Sequence, residues 1–258
     1  MRSLYTAATG MRAQQMRIDN IANNLSNVST TGYKKAREAF EDLIYQTVPV
    51  GSTTLLNQRP MSLEMGTGTR LVAVQRDFTT GDLTYTGNQY DMSIGGRGFF
   101  VVQDANGNQR FTRDGRFQRD VNGELVTAAG LTLSPSIQIP EDALRVVVNE
   151  DGTVQAEFED DTALVTVGQI QLVEFQNPTG LRAAGGNLYI ATPESGQPQF
   201  MDPSQGFVNI QQAFLEASNV DVAEELINMI VAQRSYELSS KVIETSDQML
   251  QTVSSMKR

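Results

Sequence analysis

A chain of 258 residues is long enough to bury a sizeable core, as one large domain or as two smaller parts. Its net charge of −10 argues against a nucleic-acid partner, which would need a basic face. With neither cysteine nor histidine it has no disulfides, no Cys/His zinc site and no imidazole base for a catalytic triad. The charge is unevenly placed: residues 1–35 hold five basic side chains against one acidic, residues 221–258 hold six acidic against four basic, and the acidity belongs to the middle.

Residues 3–30 read as a helix. Leu4, Met11, Ile18 and Leu25 recur every seven residues, with Ala7, Ala8, Ile21, Ala22 and Val28 in the seam and Gln14 and Gln15 interrupting it. An ordinary amphipathic helix on a globular core fits the same pattern. The stretch IANNLSNVSTTGYKK, residues 21–35, closes this helix. Asn23, Asn24, Ser26 and Asn27 load its polar positions with weak helix formers, which suits a face where other chains dock. Gly32 is placed to stop the helix, and Tyr33, Lys34 and Lys35 read as a basic docking patch or an exposed turn. The N-terminus lacks the continuous apolar run of a signal peptide, and no stretch approaches the roughly 20 apolar residues of a membrane helix, so neither ordinary secretion nor membrane insertion is expected.

Residues 33–45 mix charged and apolar side chains, with Phe40, Leu43 and Ile44 as candidate anchors. Residues 46–68 contain Pro49, Gly51, Pro60, Gly66 and Gly68 and read as a long extended excursion that finds its contacts elsewhere. From 69 to 200 the pattern is all-β. RLVAVQRDF alternates, and the turns DANG, DVNG and NEDG, ending at Gly107, Gly123 and Gly152, place glycine where hairpins need positive φ. Strands are expected at 98–103, 109–112, 116–119, 124–128, 145–149, 153–158, 169–175 and 188–191, arranged as a barrel or sandwich. After Asn219 helical spacing returns. Asp221 and Glu224 make a start signal, and Val222, Met229, Tyr236, Ile243 and Leu250 recur by sevens. Leu226 and Ile230 widen that stripe, while Leu238, Val242, Met249 and Val253 form a second flank of a helix expected to run to about residue 254.

No chemical motif survives inspection. GGRG at 95–98 sits in a strand without a following helix, so it reads as a bulge or close backbone approach and not as a phosphate loop. Asp104, Asn106 and Asn108 begin like a calcium loop, but Gln109 and Gly115 stand where glycine and glutamate are required. The acidic run Glu157, Glu159, Asp160 and Asp161 lies beside a hairpin, where solvated charges collect. No nucleophile is paired with a base. Neither an enzyme, a cofactor nor a metal is expected.

Three separated segments carry a resemblance. IANNLSNVSTTGYKK is similar to the N-terminal signature of bacterial flagellar rod and hook proteins. SNVDVAEELINMIVAQRSYELSSKVIETSDQMLQ, residues 218–251, resembles their C-terminal helix, and IGGRGFFVV with FTRDGRFQRDVNGELVTAAG resembles their β-domain. Residues 45–68, ending EMGTGTR, and the preceding FEDLIYQT resemble the distal-rod branch, with proximal rod or hook protein as the alternative; residues 193–207 are shorter than that branch leads one to expect.

The resemblance implies an α+β chain, its long terminal helices pairing as a coiled coil around an all-β centre. It also implies four parts: helix 1–32, connecting segment 33–70, β-domain 71–205, and a return connection with the C-terminal helix over 206–258. It implies helical self-polymerisation into the hollow, torque-transmitting shaft of the flagellum. The implied contacts are proximal rod proteins, hook protein, the periplasmic and outer-membrane bushing rings and the type III export apparatus. The expected interface is Leu4, Met11, Ile18, Ile21, Asn23, Asn24, Leu25 and Val28 with Val222, Leu226, Met229, Tyr236, Ile243 and Leu250. A competing reading is a β-domain binding a carbohydrate, with helices that only oligomerise it.

Overall fold

The computed structural model describes residues 2–48, 63–158, 164–201 and 209–256. Among them the chain is α+β. Two long helices, α1 (Arg2–Ser26) and α2 (Val222–Met256), stand at either end of a β-rich stretch of sequence. Two compact units form. One comprises Met1–Leu25, Ala36–Gln75 and Asp221–Arg258; the other comprises Ser26–Lys35 and Arg76–Val220.

Helix α1 ends at Ser26, ahead of the expected residue 30, and a run of turns leads to Gly32. Asp221 caps α2 as its pattern predicts: Oδ1 accepts from the Ala223 and Glu224 N–H groups at 2.8 and 3.2 Å. Without an interior Gly or Pro, α2 continues for 35 residues, about 50 Å at 1.5 Å per residue.

The third element of this unit is a β-ribbon. Ala36–Asp42 pairs with Thr69–Arg76, and Gln46–Val48 pairs antiparallel with Leu63–Met65. Between these pairs the Leu43 N–H donates to the Gly68 carbonyl at 2.9 Å and the Thr67 hydroxyl to the Ile44 carbonyl at 2.8 Å. The expected excursion therefore closes on itself at its base, because its two ends satisfy one another's backbone groups; residues 49–62 lie outside the described residues. Phe40 and Ile44, expected as anchors, point outward, Ile44 with 88% of its surface exposed. The pleat turns Phe40, Asp42 and Ile44 to one side and Glu41 and Leu43 to the other, so only Leu43 of the three apolar candidates is half-buried.

In the β-rich unit the strand Phe99–Gln103 lies at the centre. Along one edge it pairs with Gln109–Thr112; along the other it pairs with Leu172–Glu174 at its start and Thr132–Leu133 at its end. Its run FFVV is buried on both faces. Phe100 and Val102 enter a core with Phe117, Leu125, Leu133 and Leu172; Phe99 and Val101 enter a second with Phe111, Phe175 and Tyr189. A continuous apolar run replaces alternation because neither face meets water. Ala143–Val148, Thr153–Phe158 and Val165–Gln169 form a separate three-stranded sheet.

The hairpin turns behave as their sequences require, with Gly107, Gly123 and Gly152 at φ of 82°, 80° and 78°. The single strand expected at 169–175 is two. Val165–Gln169 and Leu172–Glu174 belong to different sheets, divided at the fully buried Ile170, whose N–H donates to the Gly152 carbonyl at 2.8 Å. At 95–98 the backbone makes a close approach: a Cβ on Gly95 would collide with the Asn209 side chain. Of the acidic run, Glu157 lies within the strand Thr153–Phe158 and residues 159–161 lie outside the described residues.

Candidate functional site

The signature stretch 21–35 divides between the two units, and each half is tied inward. In the helical unit, Asn24 is buried. Its Nδ2 donates to the Ala36 carbonyl at 2.9 Å, and its Oδ1 accepts from the Ala36 N–H at 3.0 Å. Asn20 Nδ2 also donates to the Ala36 carbonyl, and Arg17 pairs with Glu38 at 3.3 Å. Thr9, Ala13, Arg17, Asn20 and Asn24 thus form one helical face against the ribbon, and Gly68 comes close enough to Thr9 to leave no room for a Cβ. The expectation that the asparagine amides await other chains is corrected at Asn24, whose amide is spent within the chain; Asn23 remains exposed.

In the β-rich unit, Lys34 and Lys35 form neither a docking patch nor an exposed turn. Lys34 is 0% exposed. Its Nζ forms an ion pair with Glu216 and donates to the Thr79 carbonyl at 2.6 Å. The other Glu216 oxygen accepts from Arg113 Nη1 at 3.2 Å, and the Gly81 N–H completes the carboxylate at 2.9 Å. Burial lowers the proton affinity of both Lys34 and Arg113, and the Glu216 charge opposes that shift in each. Tyr33 lies under the Arg76 guanidinium at 5.5 Å, and Arg76 Nη1 donates to the Lys34 carbonyl. Gly32 sits at φ 66° and donates its N–H to the Glu216 carbonyl at 2.8 Å. A Cβ there would meet the Arg113 and Asp114 backbone within 2.7–3.0 Å, so the turn needs glycine twice over. Sequence reasoning missed Glu216 and Arg113. The available signals were a carboxylate closing an apolar strand, FLE, and an arginine following one, RFTR; what joined them to Lys34 was pairing across 182 residues.

The two helices touch at Ser3–Ser246, whose hydroxyls lie 3.5 Å apart, and at Gly10–Ser239, where a Cβ would lie 3.7 Å from the serine Oγ. Seven residues forward on α1 match seven backward on α2, so they run antiparallel. Glu225 and Ala232, the buried residues of α2, continue the same register of sevens toward Ser239 and Ser246. The face of α2 turned inward is thus small or polar.

Of the residues expected to form an interface, Ile21 and Asn24 are buried. Leu4, Met11, Ile18, Leu25, Val28, Met229 and Ile243 are half-buried, and Asn23, Val222, Leu226, Tyr236 and Leu250 are exposed. Ile227, Ile230 and Val231 near the start of α2, and Leu238, Met249 and Val253 further on, are also exposed. Such an apolar surface exceeds what a solitary surface helix carries. No group of three or more acidic side chains among the described residues could hold a metal, and no described helix is long and apolar enough to cross a membrane.

Three family models match the chain. They describe a flagella basal body rod protein over residues 4–34, the D1 domain of flagellar hook protein FlgE/F/G over 93–156, and the C-terminal part of flagellar basal body rod FlgEFG protein over 211–256. The flagellar basal-body rod protein FlgG of Borreliella burgdorferi is 45% identical over 266 residues, covering 100% of this chain and 99% of its own. That of Bacillus subtilis is 36% identical over 265 residues, covering 100% of both. The rod protein FlgF of Caulobacter vibrioides is 36% identical over 249 residues, 95% of this chain and 93% of its own. With a chain-long match to these relatives and their signature residues at both ends, this chain belongs to the flagellar basal-body rod protein family, a structural component of the motility organelle.

Proposed function

We propose that the chain is a distal-rod subunit that polymerises helically into the rigid hollow shaft carrying torque from motor to hook and enclosing the export channel. The observation that carries this is the apolar surface of α2. Its inward register is Glu225, Ala232, Ser239 and Ser246, while Leu226, Ile230, Leu238, Met249 and Val253 face away uncovered. Copies of the same chain, pairing these flanks with α1 and α2 of neighbours as a coiled coil, remove that surface from water at about 25 cal/mol per Å². The interface centres on Leu4, Met11, Ile18, Ile21, Leu25, Val28, Val222, Leu226, Met229, Tyr236, Ile243 and Leu250, with Asn23 at its edge.

The distal position rests on the likeness of residues 45–68 to that branch and on the relatives named FlgG. The partners are proximal rod proteins, hook protein, the bushing rings and the type III export apparatus, and the location runs from periplasm to outer membrane within the basal body. Electron microscopy of the concentrated full chain tests the reading. Open-ended tubular filaments are expected; closed oligomers of fixed size would overturn it.

A further inference from the structure

The sequence contains two Asn-Gly pairs, and both close the same kind of turn. DANG, residues 104–107, joins the strands Phe99–Gln103 and Gln109–Thr112; DVNG, residues 120–123, joins Phe117–Arg119 and Leu125–Thr127. In each the glycine N–H donates to the aspartate carbonyl three residues back, at 2.8 Å for Gly107 and 2.9 Å for Gly123. The glycine φ values, 82° and 80°, also agree. The local chemistry is matched, and only the surroundings differ. Gly123 is buried, its carbonyl accepts from the Ile139 N–H at 2.8 Å, and the next residue, Glu124, bridges to Gln138. A Cβ on Gly123 would lie 2.4 Å from the Ile139 carbonyl oxygen. Asp151 and Gly152, the same turn with aspartate for asparagine, are held alike: Gly152 is buried and its carbonyl accepts from the Ile170 N–H at 2.8 Å. Gly107 is held by no other strand. Residues 105–109 are exposed, the Gly107 carbonyl accepts from the Gln103 side chain at 3.0 Å, and the Asn106 amide makes no hydrogen bond among the described residues.

An asparagine followed by glycine carries both an electrophile and a nucleophile. The next backbone nitrogen lies within reach of the side-chain Cγ, and glycine has no Cβ to obstruct ring closure. We propose that Asn106 is a self-modification site, where the folded chain converts this amide to a carboxylate without an enzyme. The Gly107 N–H first leaves the Asp104 carbonyl, an opening confined to an exposed loop tip. The nitrogen gives its proton to solvent hydroxide and bonds to Asn106 Cγ. The Cγ–Nδ2 bond then breaks and ammonia departs, leaving a five-membered succinimide. Water opens either of its carbonyls. One opening gives an aspartyl residue, the other an isoaspartyl residue whose main chain is longer by one methylene. Either product adds a negative charge beside Asp104 to a chain already at −10. At Asn122 the same closure must first pull Gly123 away from Ile139, so tertiary contact protects it. The site is complete in one chain and does not depend on the polymer reading.

The test uses the folded full-length chain, held in mildly alkaline buffer and followed by ammonia release and peptide mass mapping. Asn106 should convert about tenfold faster than Asn122, since one further backbone hydrogen bond and burial must be given up at Gly123. Asn106→Gln, whose longer side chain would have to close a six-membered ring, should remove most of the ammonia released. The same chain in denaturant supplies the reference. There neither glycine keeps its contacts, and the two rates should come within about threefold of each other. Equal rates in the folded chain would overturn the assignment, as would an Asn106 that stays intact when folded and reacts only in denaturant. A tenfold gap that persists in denaturant would also overturn it, because the difference would then lie in the flanking residues Ala105 and Val121 and not in the fold.

Discussion

The strand Phe99–Gln103 and helix α2 handle apolar residues in opposite ways. The strand buries four of its five residues between two cores, while α2 has 35 residues and buries Glu225 and Ala232. Both are rich in Val, Ile, Leu or Phe, so composition does not separate them. The strand has neighbours on both edges and packing on both faces, whereas α2 meets α1 through serines and a glycine and leaves most of its large side chains exposed. The β-rich unit therefore buries its apolar side chains within the chain, and the helical unit leaves many of its own exposed.

The sharpest way to break that contrast is at Glu216. Glu216→Ala leaves Lys34 and Arg113 buried without their carboxylate and should destabilise the β-rich unit by about 3–5 kcal/mol, read as a lower denaturant midpoint. A loss below about 1 kcal/mol would mean that the cluster does not hold that unit together. Asn24→Ala removes both bonds to Ala36 and should cost about 1–3 kcal/mol in the helical unit, with faster amide exchange of α1 as the readout.

Leu238→Asp and Val253→Asp should change the monomer by less than about 0.5 kcal/mol, yet stop filament growth, since both side chains are exposed in the single chain. Filaments of normal yield would show that this flank is not used. The smallest expected effect is at Asp114, whose carboxyl burial raises above 3.8 although the Arg116 N–H and Thr31 hydroxyl bind it. The folded chain holds this proton at a pH where the unfolded chain has lost it. Asp114 therefore adds stability as pH falls through its raised value toward 3.8, and Asp114→Asn should flatten that part of the stability profile. An unchanged slope would assign the acid response to other carboxylates.

The local features were legible in the sequence: helix periodicity at both ends, the Asp221 cap, the three glycine-ended hairpin turns and the strand at 98–103. Each depends on residues within a few positions of one another, where spacing and backbone preference suffice. What the tertiary structure alone decided was which side chains meet. Lys34 reads as a surface cation because lysine is costly to bury; pairing with Glu216, far along the chain, reverses that. Asn24 reads as an amide free for docking until Ala36 returns to it. The split at Ile170 and the closed base of residues 45–68 were hidden for the same reason, since backbone partners in a sheet are chosen by the whole fold. The heptads of α2 announced a helix with two apolar flanks, but the register turned toward α1 is its small and polar one, because a glycine and serines let the helices approach where larger side chains would hold them apart.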